Sequence, residues 1–174
     1  MREFPKITPM TFEEFFGIKV YVKYLIKREK IIAYAWHKEE KKALDHLKKI
    51  KQYHDLDGKI IESKEFDGWL LSELEKVIIK GEKFILPNLH YRNRKVYEEL
   101  IKIPKGKTMT YSGLATRSGV KYTEVLITLM RNPFQVLIPC HRSLTQKGTL
   151  MGFYPLGKEV KKRLLEIEGI RCDG

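Results

Sequence analysis

Residues 138–142 (IPCHR) hold one of only two cysteines in the 174-residue chain, directly before one of its five histidines. A thiol beside an imidazole can lose its proton near neutral pH, and the thiolate is the nucleophilic form of cysteine. In an extended strand the ring of His141 would point away from Cys140, so His141 would act as a base through a turn or a bridging water. The pair predicts a nucleophilic centre.

Glu168 is the candidate third member of this centre. A helix is predicted over residues 158–168 and ends at Gly169, with Glu168 one turn beyond Leu164 on or beside the apolar face. A carboxylate there needs a partner, and a histidine is the natural one. The result would be a Cys–His–Glu arrangement in which the acid orients the imidazole. The alternative is that Cys140 is a small buried hydrophobic residue and Glu168 a charge that reaches solvent.

A helix–turn–helix is predicted just before the cysteine. Residues 110–117 form a short helix with Thr110 as N-cap, residues 118–120 (SGV) form a tight turn, and residues 121–131 form a second helix. Many other pairs of helices share this pattern, so the pattern alone leaves DNA binding open. In the second helix the pairs Val125/Leu129 and Leu126/Met130 are expected to face inward, and Lys121, Glu124, Thr128 and Arg131 to form the opposite, polar face.

Residues 1–85 are expected to form an α+β domain with a small antiparallel sheet. Residues 18–26 and 31–36 are rich in β-branched and aromatic residues and are separated by a charged turn, which predicts two paired strands. Residues 59–62 are a candidate third strand. The helices predicted in this half span residues 39–53 and 69–79.

Residues 86–174 are expected to form a second, mainly α-helical domain that contains the helix–turn–helix. Residues 84–89 (FILPNL) are typical of a linker, because Pro87 interrupts any regular element. A further helix is predicted over residues 94–103, and an extended segment over residues 135–138 leads into the cysteine.

The composition favours a folded intracellular protein in a reducing compartment, and we expect it to be cytoplasmic. Apolar residues make up 43% of the chain, and no apolar run is long enough to cross a bilayer. Residues 1–5 (MREFP) do not resemble a secretory leader. Cys172 lies two residues from the end, so a disulfide scaffold is not expected. No cysteine is near His37, His46 or His54, which argues against a zinc site and favours solvated or capping histidines.

The net charge of +12 is concentrated in the second half. Residues 1–88 carry 18 Lys/Arg against 15 Asp/Glu, whereas residues 89–174 carry 16 against 7. A Lys/Glu-rich surface of the kind found in thermophiles accounts for the balanced first half. It accounts poorly for the excess in the second half, which is expected to face a polyanion.

Several separated motifs resemble the O6-alkylguanine-DNA alkyltransferases. Asn132-Pro133 followed by residues 138–142 (IPCHR) is similar to the active-site signature of that family. The likeness covers the second half of the chain, with the motifs in the family's order. The other matching segments are residues 103–106 (IPKG), Tyr111, Leu114-Ala115, residues 152–154 (GFY) and residues 164–169 (LLEIEG).

The resemblance implies a DNA repair protein that acts once. A damaged guanine is flipped out of the duplex, and its alkyl group moves irreversibly to Cys140. O6-methylguanine is the main substrate expected, with O4-methylthymine as a second one. The family uses no cofactor and no metal. The partner is double-stranded DNA, contacted through its minor groove by a monomer, and no membrane is involved.

The resemblance also assigns roles to individual residues. His141 deprotonates Cys140 through a water, Glu168 orients His141, and Asn132 hydrogen-bonds within the turn that holds the site. Tyr111 donates to the extruded base and crowds the neighbouring phosphate. The DNA-binding residues expected are Tyr111, Ser112, Lys121, Tyr122, Thr123 and Arg131, and the substrate-pocket residues are Met130, Ser143, Tyr154 and Pro155.

Two positions depart from the family pattern. Thr123 stands where the family places an intercalating arginine, and Lys121 or Tyr122 is a candidate substitute. Pro155 stands where the family has a serine that donates to O6 of the guanine. Because proline has neither a hydroxyl nor a backbone N–H, it cannot make that hydrogen bond.

Two other functions stay open at this point. One is a binding module, either a relative that recognises alkylated DNA without repairing it or a helix–turn–helix regulator. The presence of the acceptor cysteine argues against the first version. The other is a thiol hydrolase that uses Cys140, His141 and Glu168. In most cysteine hydrolases the cysteine and histidine are far apart in sequence, whereas here they are adjacent.

Overall fold

A computed structural model describes residues 10–171. The expectations for residues 1–5 and for Cys172 concern residues outside this range. Across the described residues, no helix combines the length and the apolar character that a membrane span requires.

A three-stranded antiparallel sheet forms the centre of the first half. Strands β1 (Tyr21–Lys27) and β2 (Lys30–His37) form a hairpin, and β3 (Lys59–Ile61) pairs with β1, which gives the order β2-β1-β3. Arg28 and Glu29, the two turn residues, both have positive φ, as a two-residue hairpin turn that matches the strand twist requires. The three predicted strands are therefore confirmed.

Three helices pack around this sheet. The predicted helix at residues 39–53 is confirmed as α2 (Glu40–Tyr53). The predicted helix at residues 69–79 begins earlier, as α3 (Lys64–Leu74), because the Ser63 hydroxyl accepts from the Phe66 N–H and caps it. It continues as a π-helix, Glu75–Ile79, which the sequence did not indicate. The remaining helix is α1 (Phe12–Phe16), which begins with a Thr11/Glu14 capping box.

The second half is mainly helical, as predicted. Helix α4 (Arg94–Ile101) precedes the helix–turn–helix, which consists of α5 (Tyr111–Ser118) and α6 (Tyr122–Met130). Thr110 caps α5 by accepting from the Gly113 N–H at 2.9 Å, and Gly119 ends it with φ 70°. The last helix is α7 (Lys158–Ile167), and the chain leaves it through Gly169 at φ 91°.

The segment predicted to be extended, residues 135–138, is a tight turn, so that prediction is wrong. The Asn132 side chain accepts from the Phe134 N–H at 2.9 Å and donates to the Ile138 carbonyl at 3.0 Å. An asparagine that bonds to nearby backbone in this way folds the chain back on itself. Residues Cys140–Arg142 then form a 3₁₀ turn, and strand β5 (Ser143–Leu144) pairs in parallel with β4 (Met109–Thr110).

The predicted faces of α6 are partly wrong. Thr128, expected on the polar surface, is fully buried, and Met130, expected to face inward, is 44% exposed. Thr128 faces inward because its hydroxyl finds hydrogen-bond partners there. It accepts from the Asn93 amide at 2.9 Å and lies 2.9 Å from the Tyr53 hydroxyl. The exposed face of α6 therefore carries apolar side chains, Ile127 among them.

The main core contains side chains from both halves of the chain. Aromatic residues of β1 and β2 pack in one cluster with Leu114 of α5, Val125 of α6 and Leu164 of α7. A smaller cluster lies between the sheet and α2. The proposed domain boundary at residue 85 stays a prediction, but burial of shared apolar surface holds the two sides of it together.

The prediction of solvated or capping histidines is wrong for His46, whereas His54 is not solvated but is the C-cap residue of α2. His46 and His54 are buried, and burial lowers their pKa values to about 3 and about 4 respectively. His54 accepts from the Arg92 N–H at 2.9 Å, so its Nε2 carries the proton and lies 2.8 Å from the Arg131 carbonyl. His37 does act near a helix start, where its Nδ1 accepts from the Glu39 N–H.

The cap of α5 gives a stability prediction. Thr110→Ala removes the acceptor for the Gly113 N–H and is expected to lower the free energy of unfolding by about 1 kcal/mol. Thr116→Ala is the matched control, since Thr116 is exposed on the same helix and bonds only to its own backbone. Urea denaturation measures both variants. Equal effects of the two substitutions would contradict a capping role.

Candidate active site

The Asn132 turn delivers Cys140 to the base of a cavity. Cys140 is 4% exposed and begins the 3₁₀ turn that follows Pro139. Val136, inside the turn, has φ 78°, a conformation that costs a β-branched residue on the order of 1–3 kcal/mol. Such strain persists only where neighbouring contacts over-determine the backbone. The turn is therefore held by its surroundings rather than by local preference.

His141, Glu168 and Arg142 form a buried hydrogen-bonded group. His141 Nε2 lies 2.8 Å from Glu168 Oε1, and both side chains are fully buried. Arg142 donates to both Glu168 carboxylate oxygens, to the Ile103 carbonyl at 2.7 Å and to the Val77 carbonyl at 3.3 Å. The structure thus brings together the predicted acid and base, and adds an arginine that the sequence reasoning did not assign.

The protonation state of this group follows from its contacts. Burial alone would raise the pKa of Glu168, but the hydrogen bonds and charges of His141 and Arg142 outweigh it and hold that pKa below its ordinary value. The carboxylate can only accept, so His141 Nε2 carries the proton and donates it. Burial lowers the pKa of His141, which leaves the ring neutral. The lone pair of His141 is therefore on Nδ1.

Nδ1 of His141 is the atom available to act as a base. It is buried and makes no hydrogen bond to any side chain or backbone group within residues 10–171. Burial raises the pKa of the adjacent Cys140 thiol, with the Asn132 side chain and the Lys161 charge acting in the opposite direction. The resting state is a neutral thiol beside a neutral imidazole, so proton transfer must accompany the use of the sulfur as a nucleophile.

Cys140 opens onto a largely apolar cavity of about 500 Å³ between α6, α7 and the loop at residues 151–157. This volume lies within the range of roughly 300–1,000 Å³ that is typical of small-molecule sites. All four predicted pocket residues line it, namely Met130, Ser143, Tyr154 and Pro155. Other lining residues were not indicated by the sequence, namely Leu126, Leu129, Gln135, Lys158 and Lys161.

Tyr111 projects into the cavity with its hydroxyl held by a buried lysine. Lys161 Nζ donates to the Tyr111 oxygen at 2.7 Å, and the two side chains are 1% and 3% exposed. Because the ammonium donates to the Tyr111 oxygen, the hydroxyl can still donate its own proton, and the Ser143 side chain is a second hydrogen-bond partner beside it. Burial raises the pKa of Tyr111 to about 12, so the hydroxyl stays protonated near neutral pH. The cavity thus holds a fixed hydrogen-bond donor.

Gln135 links the cavity to the sheet of the first half. Its Oε1 accepts from Trp36 Nε1 at 2.6 Å, and its Nε2 donates to the Tyr154 carbonyl at 2.7 Å. The indole can only donate, which fixes the orientation of the amide. The Tyr34 hydroxyl donates to the backbone carbonyl of Gln135. Strand β2 therefore fixes both the cysteine turn and the loop that closes the cavity.

The residues predicted to contact DNA lie on or beside the helix–turn–helix. Lys121, Tyr122 and Thr123 are exposed at the start of α6, while Ser112 and Arg131 are half-buried. Tyr122 is 41% exposed. In the described part of the chain no group of three or more His, Cys, Asp or Glu side chains could hold a metal ion.

Some of the unpredicted residues left a signal in the sequence. Arg142 directly follows His141, the predicted partner of the buried acid Glu168. Its positive charge was therefore a candidate second partner for that acid. Lys161 occupies the apolar face of α7, one turn before Leu164–Leu165, where a lysine is conspicuous. Gln135 had no such signal, because its partners, Trp36 and the Tyr154 carbonyl, are distant in sequence.

Comparison with known proteins finds relatives of the second half of the chain. Residues 92–170 match the family model described as "6-O-methylguanine DNA methyltransferase, DNA binding domain". A methylated-DNA–protein-cysteine methyltransferase from Methanothermobacter thermautotrophicus is 43% identical over 81 residues, 47% of this chain and 46% of that protein. One from Saccharolobus solfataricus is 41% identical over 76 residues, 44% of this chain and 49% of that protein. The matched region spans about half the length of these curated relatives.

Two solved structures are similar to the model. The O6-methylguanine-DNA methyltransferase of the hyperthermophilic archaeon Pyrococcus kodakaraensis has a TM-score of 0.66 at 23% identity, over 87% of this chain and 92% of that one. At that identity the likeness shows a shared fold, including the small antiparallel sheet. Mycobacterium tuberculosis OGT in complex with DNA has a TM-score of 0.51 at 27% identity, over 59% of this chain and 65% of that one.

The buried thiol gives a prediction about reactivity. In a Cys172→Ser background, labelling of Cys140 by iodoacetamide is expected to reach its half-maximal rate above about pH 8.5, the ordinary value, because burial disfavours the thiolate. The same protein in urea is the control and should titrate at the ordinary value. Mass spectrometry across pH follows the reaction. A lower midpoint in the folded protein than in urea would contradict this account.

Gln135 gives a second prediction. Gln135→Leu leaves the buried Trp36 N–H and the Tyr154 carbonyl without their partner, so the free energy of unfolding should fall by about 1–3 kcal/mol. Gln52→Leu, at an exposed position on α2, is the control and should change it by less than about 0.5 kcal/mol. Urea denaturation compares them. A Gln135 variant as stable as the control would show that the hydrogen bonds of Gln135 do not contribute to the free energy of unfolding.

Proposed function

We propose that the protein repairs alkylated DNA by taking the alkyl group onto Cys140, a proposal supported by the match of residues 92–170 to the family model described as "6-O-methylguanine DNA methyltransferase, DNA binding domain". The observation that carries this proposal is the position of the Cys140 thiol, at the base of an apolar cavity lined by α6 and beside the buried His141–Glu168 pair.

The substrate proposed is O6-alkylguanine in duplex DNA, with O6-methylguanine foremost and O4-methylthymine as a second substrate. A base within the stack cannot reach a buried thiol, so the nucleotide must leave the duplex. The cavity of about 500 Å³ is of a size to take a single base, and its apolar lining suits an aromatic ring. Unstacking costs a few kcal/mol, and less where the base pair is already damaged.

The transfer is a single displacement at the alkyl carbon. The thiol proton passes to Nδ1 of His141 through a bridging water, and Glu168 stabilises the imidazolium that forms. The sulfur attacks the alkyl carbon, the bond from that carbon to O6 breaks, and its electron pair stays with the base. The base regains a proton, so the products are unmodified guanine and S-alkylcysteine. The protein is consumed, since nothing in this chemistry regenerates the thiol.

Tyr111 is the donor that we assign to the base. Lys161 supplies one hydrogen bond to its oxygen, so the hydroxyl can donate its proton to a bound base. A donor fixed in a largely apolar cavity stabilises the negative charge that the departing oxygen leaves on the ring. Pro155 lines the cavity but can make no such contact. The leaving group is therefore stabilised from the Tyr111 side.

DNA binding is assigned to the helix–turn–helix through the minor groove. The second half carries the excess of positive charge, and Lys121, Tyr122, Thr123 and Arg131 lie along or at the ends of α6. The minor groove carries little sequence information, which suits a protein that must find damage in any sequence. Tyr122, exposed in the first turn of α6 in place of a cationic finger, is the side chain proposed to fill the gap in the base stack.

The proposal is tested by the mass of the cysteine peptide. After incubation with duplex DNA containing O6-methylguanine, the peptide with Cys140 should gain one CH₂ unit, with one methyl group transferred per protein molecule. Cys140→Ala should abolish transfer and leave DNA binding nearly unchanged, because the side chain lies inside the cavity. An unmodified peptide in the presence of excess substrate would overturn the proposal.

The same experiment separates the other candidate functions. Tight binding of alkylated DNA without a change in mass would indicate a recognition module. Turnover of a thiol-reactive ester with an initial burst would indicate a hydrolase that uses Cys140 and His141.

A further inference from the structure

One side of helix α2 contacts the second half of the chain at two places along the helix. The ring of His46 contacts the ring of Tyr154 edge-on, with centroids 4.9 Å apart. About two turns further along α2, the Tyr53 hydroxyl lies 2.9 Å from the Thr128 hydroxyl of α6. Helix α2 therefore extends from the loop that closes the cavity to the second helix of the helix–turn–helix.

Two lysines share this side of α2. Residues 42, 46, 49 and 53 recur at helical spacing and so lie in one row. His46 and Tyr53 anchor the row against the second half, and Lys42 and Lys49 precede and follow His46 in it, both exposed. Lys41 and Lys48 are each turned by about 100° around the axis, towards open solvent.

The surroundings of the row contain both cations and acids. The Arg92 guanidinium lies over the Tyr53 ring at 4.9 Å from its centroid, which places a further exposed cation at the end of the row. The acidic groups nearby are Asp45, exposed on the same helix, Glu124 of α6, whose carboxylate lies 3.4 Å from the Asn93 amide that also contacts Tyr53, and Glu39, which pairs with Lys42 at 2.7 Å. Both members of that pair are more than half exposed. Such exposed pairs contribute little to stability, so a phosphate can replace the carboxylate.

We propose that Lys42 and Lys49 bind the sugar–phosphate backbone of the DNA that α6 engages. The inference rests on the proposed function, which places duplex DNA across α6 and the mouth of the cavity. A strand whose nucleotide enters the cavity must pass Tyr154, which is 42% exposed, and the row of lysines flanks this side chain through its contact with His46. Lysine ammonium groups bind phosphate as point charges and need no fixed geometry.

This assignment gives the first half of the chain a direct part in DNA binding. The helix–turn–helix holds the duplex from one side, and the row on α2 would hold the strand that carries the flipped nucleotide. Each such lysine–phosphate contact releases a counterion from the DNA, so its contribution has a measurable salt dependence. The basic charge of the first half is nearly balanced by acids, so the effect must come from position rather than from net charge.

The test compares two double variants of equal charge in the full-length protein. Lys42→Gln/Lys49→Gln removes the row, and Lys41→Gln/Lys48→Gln removes two exposed lysines of the same helix that face away. Fluorescence anisotropy measures the Kd for an undamaged duplex at several salt concentrations. The row variant should lower the slope of log Kd against log salt by about 2 and weaken binding roughly tenfold or more near physiological salt. The control should change the slope by less than about 0.5.

Further measurements keep the interpretation unambiguous. Circular dichroism should give both variants the same melting temperature, and transfer from free O6-methylguanine base to Cys140 should proceed at the wild-type rate, since neither variant alters the cavity. Equal slopes for the two variants, or no change in either, would overturn the proposal. If only the row variant has a reduced slope, and the wild-type protein takes no methyl group from DNA, the DNA-binding surface is supported and the repair function is rejected.

Discussion

The buried carboxylate of Glu168 is the interaction on which the rest of the structure depends. It fixes the tautomer of His141 and so decides which ring nitrogen faces the chemistry. Its charge is matched by Arg142, whose other donors reach carbonyls at Ile103 and Val77. Removing one partner from a buried ion pair typically costs about 3–5 kcal/mol, because the other charge is left uncompensated. Through Arg142, the acid of the site therefore also connects α7 to the π-helix and to the segment that follows α4.

The first half of the chain acts on the site through backbone carbonyls and loops. Tyr34 donates its N–H to the Pro133 carbonyl at 2.9 Å, and Trp36 holds the Gln135 amide. These contacts keep Val136 in a conformation that it would not adopt alone. His54 similarly fixes the end of α6 through the Arg131 carbonyl. The sheet is thus a rigid support that shapes both the cysteine turn and the end of α6.

The sequence was sufficient for elements whose signals are local. The helix–turn–helix followed from a Thr cap, a glycine in the turn and two short apolar patterns, and the Cys–His–Glu grouping followed from a carboxylate on an apolar face. It failed where distant partners decide the outcome. Thr128 looked solvent-facing because Asn93 and Tyr53, which satisfy its hydroxyl, belong to other elements. The segment before Cys140 looked extended because its apolar residues mask the folding effect of Asn132.

The structure changes the interpretation of Thr123 and Pro155, the two positions that depart from the family pattern. Thr123 is exposed at the start of α6, next to an aromatic side chain of greater reach, Tyr122. Pro155 faces a cavity whose polar contacts come from other residues, chiefly Tyr111 with Lys161. In the proposed function, Tyr111 therefore supplies the donor that Pro155 cannot, and Tyr122 supplies the side chain that enters the base stack.

The raised pKa of Cys140 bears on how the molecule survives before it is used. Oxidants such as peroxide attack the thiolate, and a thiol that stays protonated in a nearly closed cavity reacts with them slowly. Under the proposed function each molecule acts once, so a single such event would remove its whole capacity. Burial of the sulfur therefore keeps the thiol in its unreactive protonated form, and in the proposed mechanism the thiolate forms only when His141 takes the proton during transfer.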